Sequence, residues 1–363
     1  MPKRRPTSVN STAALARHLG LSRWTVSRAI NGHPEVNAET TQRVQAAMRD
    51  LGFVPSPFGR ALRGGRTRTI GVSFRELETP ILVRKVTVMQ KLLRARHYRP
   101  LFELIEEGSD PGLEVVRHFA AMRAEGVVLV DSPVGAESAP WLDFLAQNRI
   151  PSVQLEPRGL VAHNAILLDR RAALAHVTEH LYQLGHRHIG LLGIDRSFPL
   201  GVPRCDGVAD ALSAHGARFE ECVDTIIQSN RRFEAFDYGR ELAEFLLGRP
   251  VLPTALIALN DEIATGAMWQ LQRAGLVVPR DISIFGFDNQ PISTQTAPRL
   301  STVDQQVPEM IAATVEMLFE LLQSLPGTTL PARCVQAQVV LRDSVAPPPV
   351  AVPGYKTRRH ARS

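Results

Sequence analysis

Only three cysteines occur in this chain, Cys205, Cys222 and Cys334. Their odd number and wide spacing exclude a disulfide framework, and no Cys or His cluster has zinc-ligand spacing. Reduced thiols in the cytoplasm are the default reading. No run approaches the ~18 consecutive apolar residues that a helix needs to cross a bilayer, so no membrane partner is expected. The start, MPKRRPTSVN, is basic and lacks the apolar stretch of a secretory leader. There is no nucleophile–base pair, no phosphate loop and no metal-ligand spacing. These absences argue against an enzyme and against a cofactor. Acidic residues are scarce in one place. From Met1 to Arg68 there are three, against 12 Lys and Arg, a net charge of +9. The whole chain is +6, so the remainder carries −3. Such concentration of positive charge suits a polyanion binder.

That basic segment holds LARHLGLSRWTVSRAIN, residues 15–31. Leu15, Ala16 and Leu19 recur at helical spacing. Ser11 or Thr12 is placed as an N-cap and Gly20 as a left-handed stop. Ser22 then caps a second helix, whose Val26, Ala29 and Ile30 face inward. Arg23, Trp24, Thr25, Ser27 and Arg28 are left outside. Asn37 caps a third helix with Val44, Ala47, Met48 and Leu51 as its buried stripe. This is a helix-turn-helix presenting a reading helix to the DNA major groove. Arg23 and Trp24 occupy early positions facing base edges, and Arg28 is placed for the bidentate acceptors of guanine. Thr25, Ser27 and Asn31 suit phosphate contacts.

The ordered string from this helix pair through VNAETTQRVQAAMRDLGFVPSPFGRALRGGRTRTIGV resembles the lactose-repressor (LacI) family of bacterial transcription regulators. The resemblance implies that SPFGRALR, residues 56–63, is a hinge helix that forms when two copies meet on DNA, with Leu62 as a minor-groove wedge. It continues in IPSVQLE, HLYQLGHRHIGLLG, RCDGVADAL, ALNDEIATGAM, VPRDISIFGFDNQ and AQVVLRDS. Between Phe74 and Leu104 the chain departs from the family, and the first strand–helix turn reads RELETPILVRK.

After Arg68 apolar strand-like runs alternate with helical patterns: TIGVSF, GVVLV, SVQL, AILL, HIGLLG, TALIAL and ISIFGF. Continuous apolar strands with helical crossovers mean parallel sheets covered on both faces. The expected fold class is a small all-α head plus an α/β, two-lobed, doubly wound parallel-sheet effector domain like that of periplasmic sugar-binding proteins. The expected division is 1–55 for the head, 56–68 for the hinge, 69–345 for the effector domain and 346–363 for a disordered, proline-rich basic tail. By resemblance, one lobe comprises 69–168 with 300–325 and the other 169–298 with 328–344.

Ligands of such sheets bind at the carboxyl ends of strands. Arg204 matches the family arginine that grips effector oxygens. Asn260, Asp261 and Asp288 follow strands and suit polyol hydroxyls. Phe233 or Phe236 is a candidate apolar face, and Ser73, Arg75 and Asp131 are positional candidates from the first lobe. Asn260 or Asp261 also reads as a plain N-cap, and His186 and His188 as a helix–strand loop.

The reading is a cytoplasmic, nucleoid-associated transcription regulator, most simply a repressor. It binds a near-palindromic double-stranded DNA operator as a homodimer and answers to a small, sugar-like effector. No heptad run after Asp343 suggests a tetramer. A solute-binding protein, or an enzyme using Asp169 and Asp288, is the competing reading.

Overall fold

A computed structural model describes residues 9, 11–30, 33–53, 66–75, 79–105, 111–228 and 235–349. The chain divides into two compact units, Met1–Arg68 and Thr69–Ser363.

Among its described residues the first unit contains three helices, α1 (Thr12–Leu19), α2 (Arg23–Ile30) and α3 (Ala38–Asp50). Their ends follow the local chemistry. Ser11 accepts a hydrogen bond from Ala14 N–H, Ser22 from Thr25 N–H, and Asn37 from Thr40 N–H. Gly20 takes φ +65°, which lets its N–H and that of Leu21 close the end of α1. Leu15, Ala16, Val26, Ala29, Val44, Ala47 and Phe53 form the core. Asn31 and the expected hinge helix with Leu62 lie outside the described residues.

The second unit has twelve described strands. In chain order these are β1 (Thr69–Phe74), β2 (Arg99–Leu104), β3 (Gly126–Val130), β4 (Ser152–Leu155), β5 (Ala165–Leu168), β6 (Ile189–Leu192), β7 (Val223–Ile226), β8 (Ala255–Ala258), β9 (Ser283–Phe285), β10 (Thr302–Asp304), β11 (Arg333–Val335) and β12 (Gln338–Val340). The helices continue as α4 (Pro80–Ala95), α5 (Pro111–Ala121), α6 (Ala139–Gln147), α7 (Arg170–Leu184), α8 (Gly201–Ala214), α9 (Phe219–Cys222), α10 (Ala235–Leu247), α11 (Asp261–Arg273) and α12 (Val307–Gln323).

Two sheets result, parallel throughout. One runs β2-β1-β3-β4-β5-β11 and the other β7-β6-β8-β9, while β10 and β12 make a separate antiparallel pair. The central strands are buried along their whole length, as a sheet covered on both faces requires. α4 and α12 pack together on one side of the first sheet, and α5 and α6 share a smaller core with Val127 and Leu129 on the other. α7 pairs with α8, and α10 with α11. Glycines set those approaches. A Cβ on Gly207 would stand 2.0 Å from Arg171 O, and one on Gly266 would stand 2.0 Å from Phe236 O.

The chain crosses between the sheets three times, after β5, after β10 and after β11. The crossings touch: Asp169 N–H donates to Val335 O at 3.0 Å, and Gln336 Nε2 to Asp169 at 3.1 Å. This corrects two expectations. Residues 328–344 do not all go with the second lobe, because β11 adds to the edge of the first sheet beside β5. Residues 300–304 lie with the second, where Gly286 N–H donates to Ser301 O. The first residues of the expected tail are also held. Ser283 Oγ and His186 Nε2 bond Ala346 O at 3.0 and 2.9 Å, and the residues beyond 349 lie outside the described ones.

Candidate nucleic-acid interface and ligand cleft

On α2 the buried residues Val26 and Ala29 occupy one side, and Trp24 and Arg28, one turn apart, point away from them. Arg23 and Ser27 form the neighbouring row. Trp24 is 61 % exposed, a large aromatic surface that the first unit leaves uncovered. The Arg28 guanidinium lies over the Trp24 ring, 3.8 Å from its centroid, and is ion-paired with Glu35. Thr25 Oγ1 is within 2.8 Å of Ser22 Oγ, so the capping serine also orients Thr25. The expected reader Arg28 is thus not free. Its partner Glu35 lies beyond the helix and outside the sequence pattern.

In the second unit each sheet has a switch point, between β1 and β3 in one and between β6 and β8 in the other. In parallel α/β sheets such a point is where ligands bind, outside the carboxyl ends of the strands. The structure puts Ser73 at the carboxyl end of β1 and Asp131 just past β3. Glu156 follows β4, Asn260 follows β8, and Asp288 lies beyond β9. Asp131, Glu156, Asp288 and Asn289 all have positive φ, at 51°, 51°, 107° and 48°. Non-glycine residues avoid this region, and clustered departures mark sites held in place by their surroundings.

A buried cluster of charge occupies this region. Glu156 is ion-paired with both Lys85 of α4 and Arg170 at the start of α7. Burial alone would raise its carboxyl, but the two cations outweigh that and hold it at about 2. Arg204 of α8 is 5 % exposed. Its Nη1 donates to Leu200 O at 2.7 Å, and its guanidinium carbon sits 4.7 Å from the centre of the Phe287 ring. Burial, reinforced by the nearby Arg170, brings it down to about 9. Asp288 accepts from Gln305 Nε2 at 2.5 Å and from Gln290 Nε2 at 3.4 Å. Burial pushes its carboxyl up to about 6, against the pull of Lys85 and Arg204. Ser73 Oγ, Arg170 Nε, Arg204 Nε and Gln305 Oε1 are buried polar atoms without a hydrogen-bond partner. Native proteins rarely leave such atoms unmet.

Among the expected effector residues, Arg204 and Asp288 are brought together. Asp261 is not available. It is fully buried, and its two oxygens bond Thr302 Oγ1 at 2.5 Å and Gln290 N–H at 2.7 Å, so it organises the turn that carries Asp288. Burial, then the charge of Asp288, pushes it up to about 8. Asn260 caps α11, its Oδ1 accepting from Ile263 N–H at 2.8 Å. Arg75 pairs with Glu137 at 2.8 Å, and Asp131 with Arg158 at 2.6 Å. Phe236 lies against Trp269 between α10 and α11, while Phe233 is outside the described residues. Phe287 is the aromatic that meets Arg204. His186 and His188 do not converge: they bond Thr254 and Asp224 respectively, and no group of three metal-ligating side chains occurs among the described residues.

Sequence reasoning missed Lys85, Glu156, Arg170 and Gln305. Lys85 sits in a helix whose other buried residues are apolar, Leu82, Met89 and Leu93, and a charge on that stripe was a readable signal. Glu156 and Gln305 lie in loops that only the folding of the strands brings together.

Residues 14–56 match the bacterial regulatory proteins of the lacI family, and residues 178–345 match the periplasmic binding protein-like domain. The transcriptional regulator reg1 of Streptomyces lividans is 30 % identical over 343 residues, covering 93 % of this chain and 97 % of that protein. The transcriptional regulator AscG of Escherichia coli is 27 % identical over 351 residues, covering 92 % and 98 %. Among solved structures, the lac repressor dimer bound to operator and the anti-inducer ONPF superposes with a TM-score of 0.81. It is 24 % identical and covers 94 % of this chain and all of that one, which shows a shared fold.

Proposed function

The chain belongs to the lacI family of bacterial regulatory proteins and is a helix-turn-helix transcriptional regulator, and on that premise we propose that a small, sugar-like metabolite held between its two lobes sets its affinity for an operator. The reading helix α2 enters the major groove. Arg23, Trp24 and Arg28 reach base edges, and Thr25, Ser27 and Asn31 hold phosphates. Two copies present two reading helices to a near-palindromic site one DNA turn apart. The segment 56–68, with Leu62, joins the reading head to the first lobe and transmits the state of the cleft. Repression in the bacterial cytoplasm is the simplest use of such a device, and the cleft binds its ligand without turning it over.

One observation carries this reading. Buried charged and unpartnered polar side chains gather at the carboxyl ends of both sheets, beside the three crossings that join the lobes. A ligand bridging both lobes favours one angle between them, and the distance between paired hinges changes with it. That couples two distinct sites through a two-state element.

The test begins with an operator selected from random duplexes. Binding of the full chain is then followed by fluorescence anisotropy with and without each compound that raises its melting temperature. A change of about fivefold or more in operator affinity is expected, the range typical of coupled sites. Operator affinity indifferent to every stabilising compound would sink the proposal.

A further inference from the structure

The chain carries a second basic segment that the reading head does not account for. Residues 344–363 hold no Asp or Glu, and Lys356, Arg358, Arg359 and Arg362 fall within seven residues. With +9 up to Arg68, +4 here and +6 for the whole chain, residues 69–343 carry −7. Positive charge therefore stands on both sides of an acidic body. The spacer before the four cations, APPPVAVPG at 346–354, has four prolines in nine residues.

The fold fixes where this segment leaves the second sheet. Ser344 is fully buried, and its Oγ donates to Ile284 O at 2.7 Å and accepts from Ser301 N–H at 2.8 Å. Ala346 N–H donates to Ser283 Oγ at 3.1 Å, and Ala346 O accepts from Ser283 Oγ at 3.0 Å and from the buried His186 Nε2 at 2.9 Å. A cation flanks this exit: Arg187 Nη1 donates to His186 O at 2.9 Å. Chain extends by at most about 3.6 Å per residue, so from Pro349 Lys356 reaches about 25 Å and Arg362 about 45 Å.

We propose that Lys356, Arg358, Arg359 and Arg362 form a second, sequence-independent DNA contact, gripping backbone phosphates on a tether whose root is Ala346. A run of cations without acids is the charge pattern of a nucleic-acid arm. Joined to a chain that already holds an operator, it meets phosphates at high effective concentration, and each phosphate neutralised releases counterions. The phosphates belong either to DNA flanking the operator or to a second duplex, and the experiment separates these sources.

Affinity of the full chain for a random 40-bp duplex is measured by anisotropy from 50 to 300 mM potassium chloride. Changing all four residues to Gln should make the plot of log affinity against log salt shallower by about three, since four cations at about 0.9 each set the upper limit. Arg358→Lys, Arg359→Lys and Arg362→Lys together should keep the parental slope. The ratio of operator to random affinity should be the same in the Gln variant as in the parent, because phosphate contacts carry no sequence information. A slope unchanged in the Gln variant would overturn the inference, and so would tighter DNA binding by it, which would mean that the segment pairs with the acidic body. A second measurement needs no variant: saturating random duplex should slow tryptic cleavage of the parent after Lys356, Arg358 and Arg359 severalfold, and unaltered cleavage would equally reject the contact. Capture of a labelled second duplex by protein already on immobilised operator, lost in the Gln variant, assigns the contact to another DNA. A shallower slope without such capture assigns it to the flanks.

Discussion

Glu35 and Asp261 show how a single side chain acts away from the place its sequence position suggests. Glu35 holds the guanidinium of Arg28, the side chain proposed to reach base edges. Glu35→Gln should therefore strengthen operator binding severalfold, the order of one exposed ion pair. Unchanged or weaker binding in anisotropy titrations at fixed salt would contradict the competition. Arg28→Ala should lose specific binding by about 1–3 kcal/mol while leaving weak, salt-sensitive binding to random duplexes. Equal loss on both would remove Arg28 as a base reader. Asp261 carries a carboxyl raised from 3.8 to about 8. The folded state holds that proton more tightly than the unfolded chain does. Its contribution is complete below pH 3.8 and declines as the pH rises toward 8, by up to about 1.4 kcal/mol per unit. Asp261→Asn, which imitates the protonated acid, should flatten the decline between pH 6 and 8. Urea midpoints at pH 6, 7 and 8 that fall in parallel for both proteins would argue against a protonated Asp261.

Among the elements, the helices of the reading head follow from caps and spacing, and those of the effector unit follow from how closely they can approach. Ser11, Gly20, Ser22 and Asn37 act where their residue types suggest. α8 starts at Gly201, so Arg204 lies in its first turn. Strands β2 and β7 gave little pattern, since both lie at sheet edges and are only partly buried. The α10–α11 pair depends on Gly239 and Gly266, each facing the other helix's backbone at about 2 Å from a would-be Cβ. Gly266→Ala must push these helices apart. A loss of about 1–3 kcal/mol is expected from such overpacking, checked by thermal or urea unfolding of the full chain. A stability equal to the parent would mean that the helices separate freely.

For the molecule as a whole, the ion-paired Glu156 ties α4 and α7 together across the base of the cleft. Its carboxyl titrates at about 2 in place of 4.5. The stability it confers is complete above pH 4.5 and is lost as the pH falls from there toward 2, leaving Lys85 and Arg170 unpaired in the interior. Unfolding midpoints should drop over that interval, and Glu156→Gln should lower stability at pH 7 while flattening the acid limb. An acid limb that is identical in the variant would show that other carboxylates dominate it.

The linear chain determined the reading head, the alternation that makes parallel sheets, and two residues of the buried charge cluster, Arg204 and Asp288. These depend on local properties: a cap three residues from its N–H, an apolar period, a strand end. The tertiary structure alone decided that Lys85, Glu156 and Arg170 converge, that Asp261 is buried under the turn carrying Asp288, that Glu35 pairs with Arg28, and that β11 joins the first sheet. Each joins residues brought together by sheet pairing, loop path or helix packing. Burial then fixes their charge, since the same carboxyl lies at about 2 beside two cations and at about 8 without one in contact.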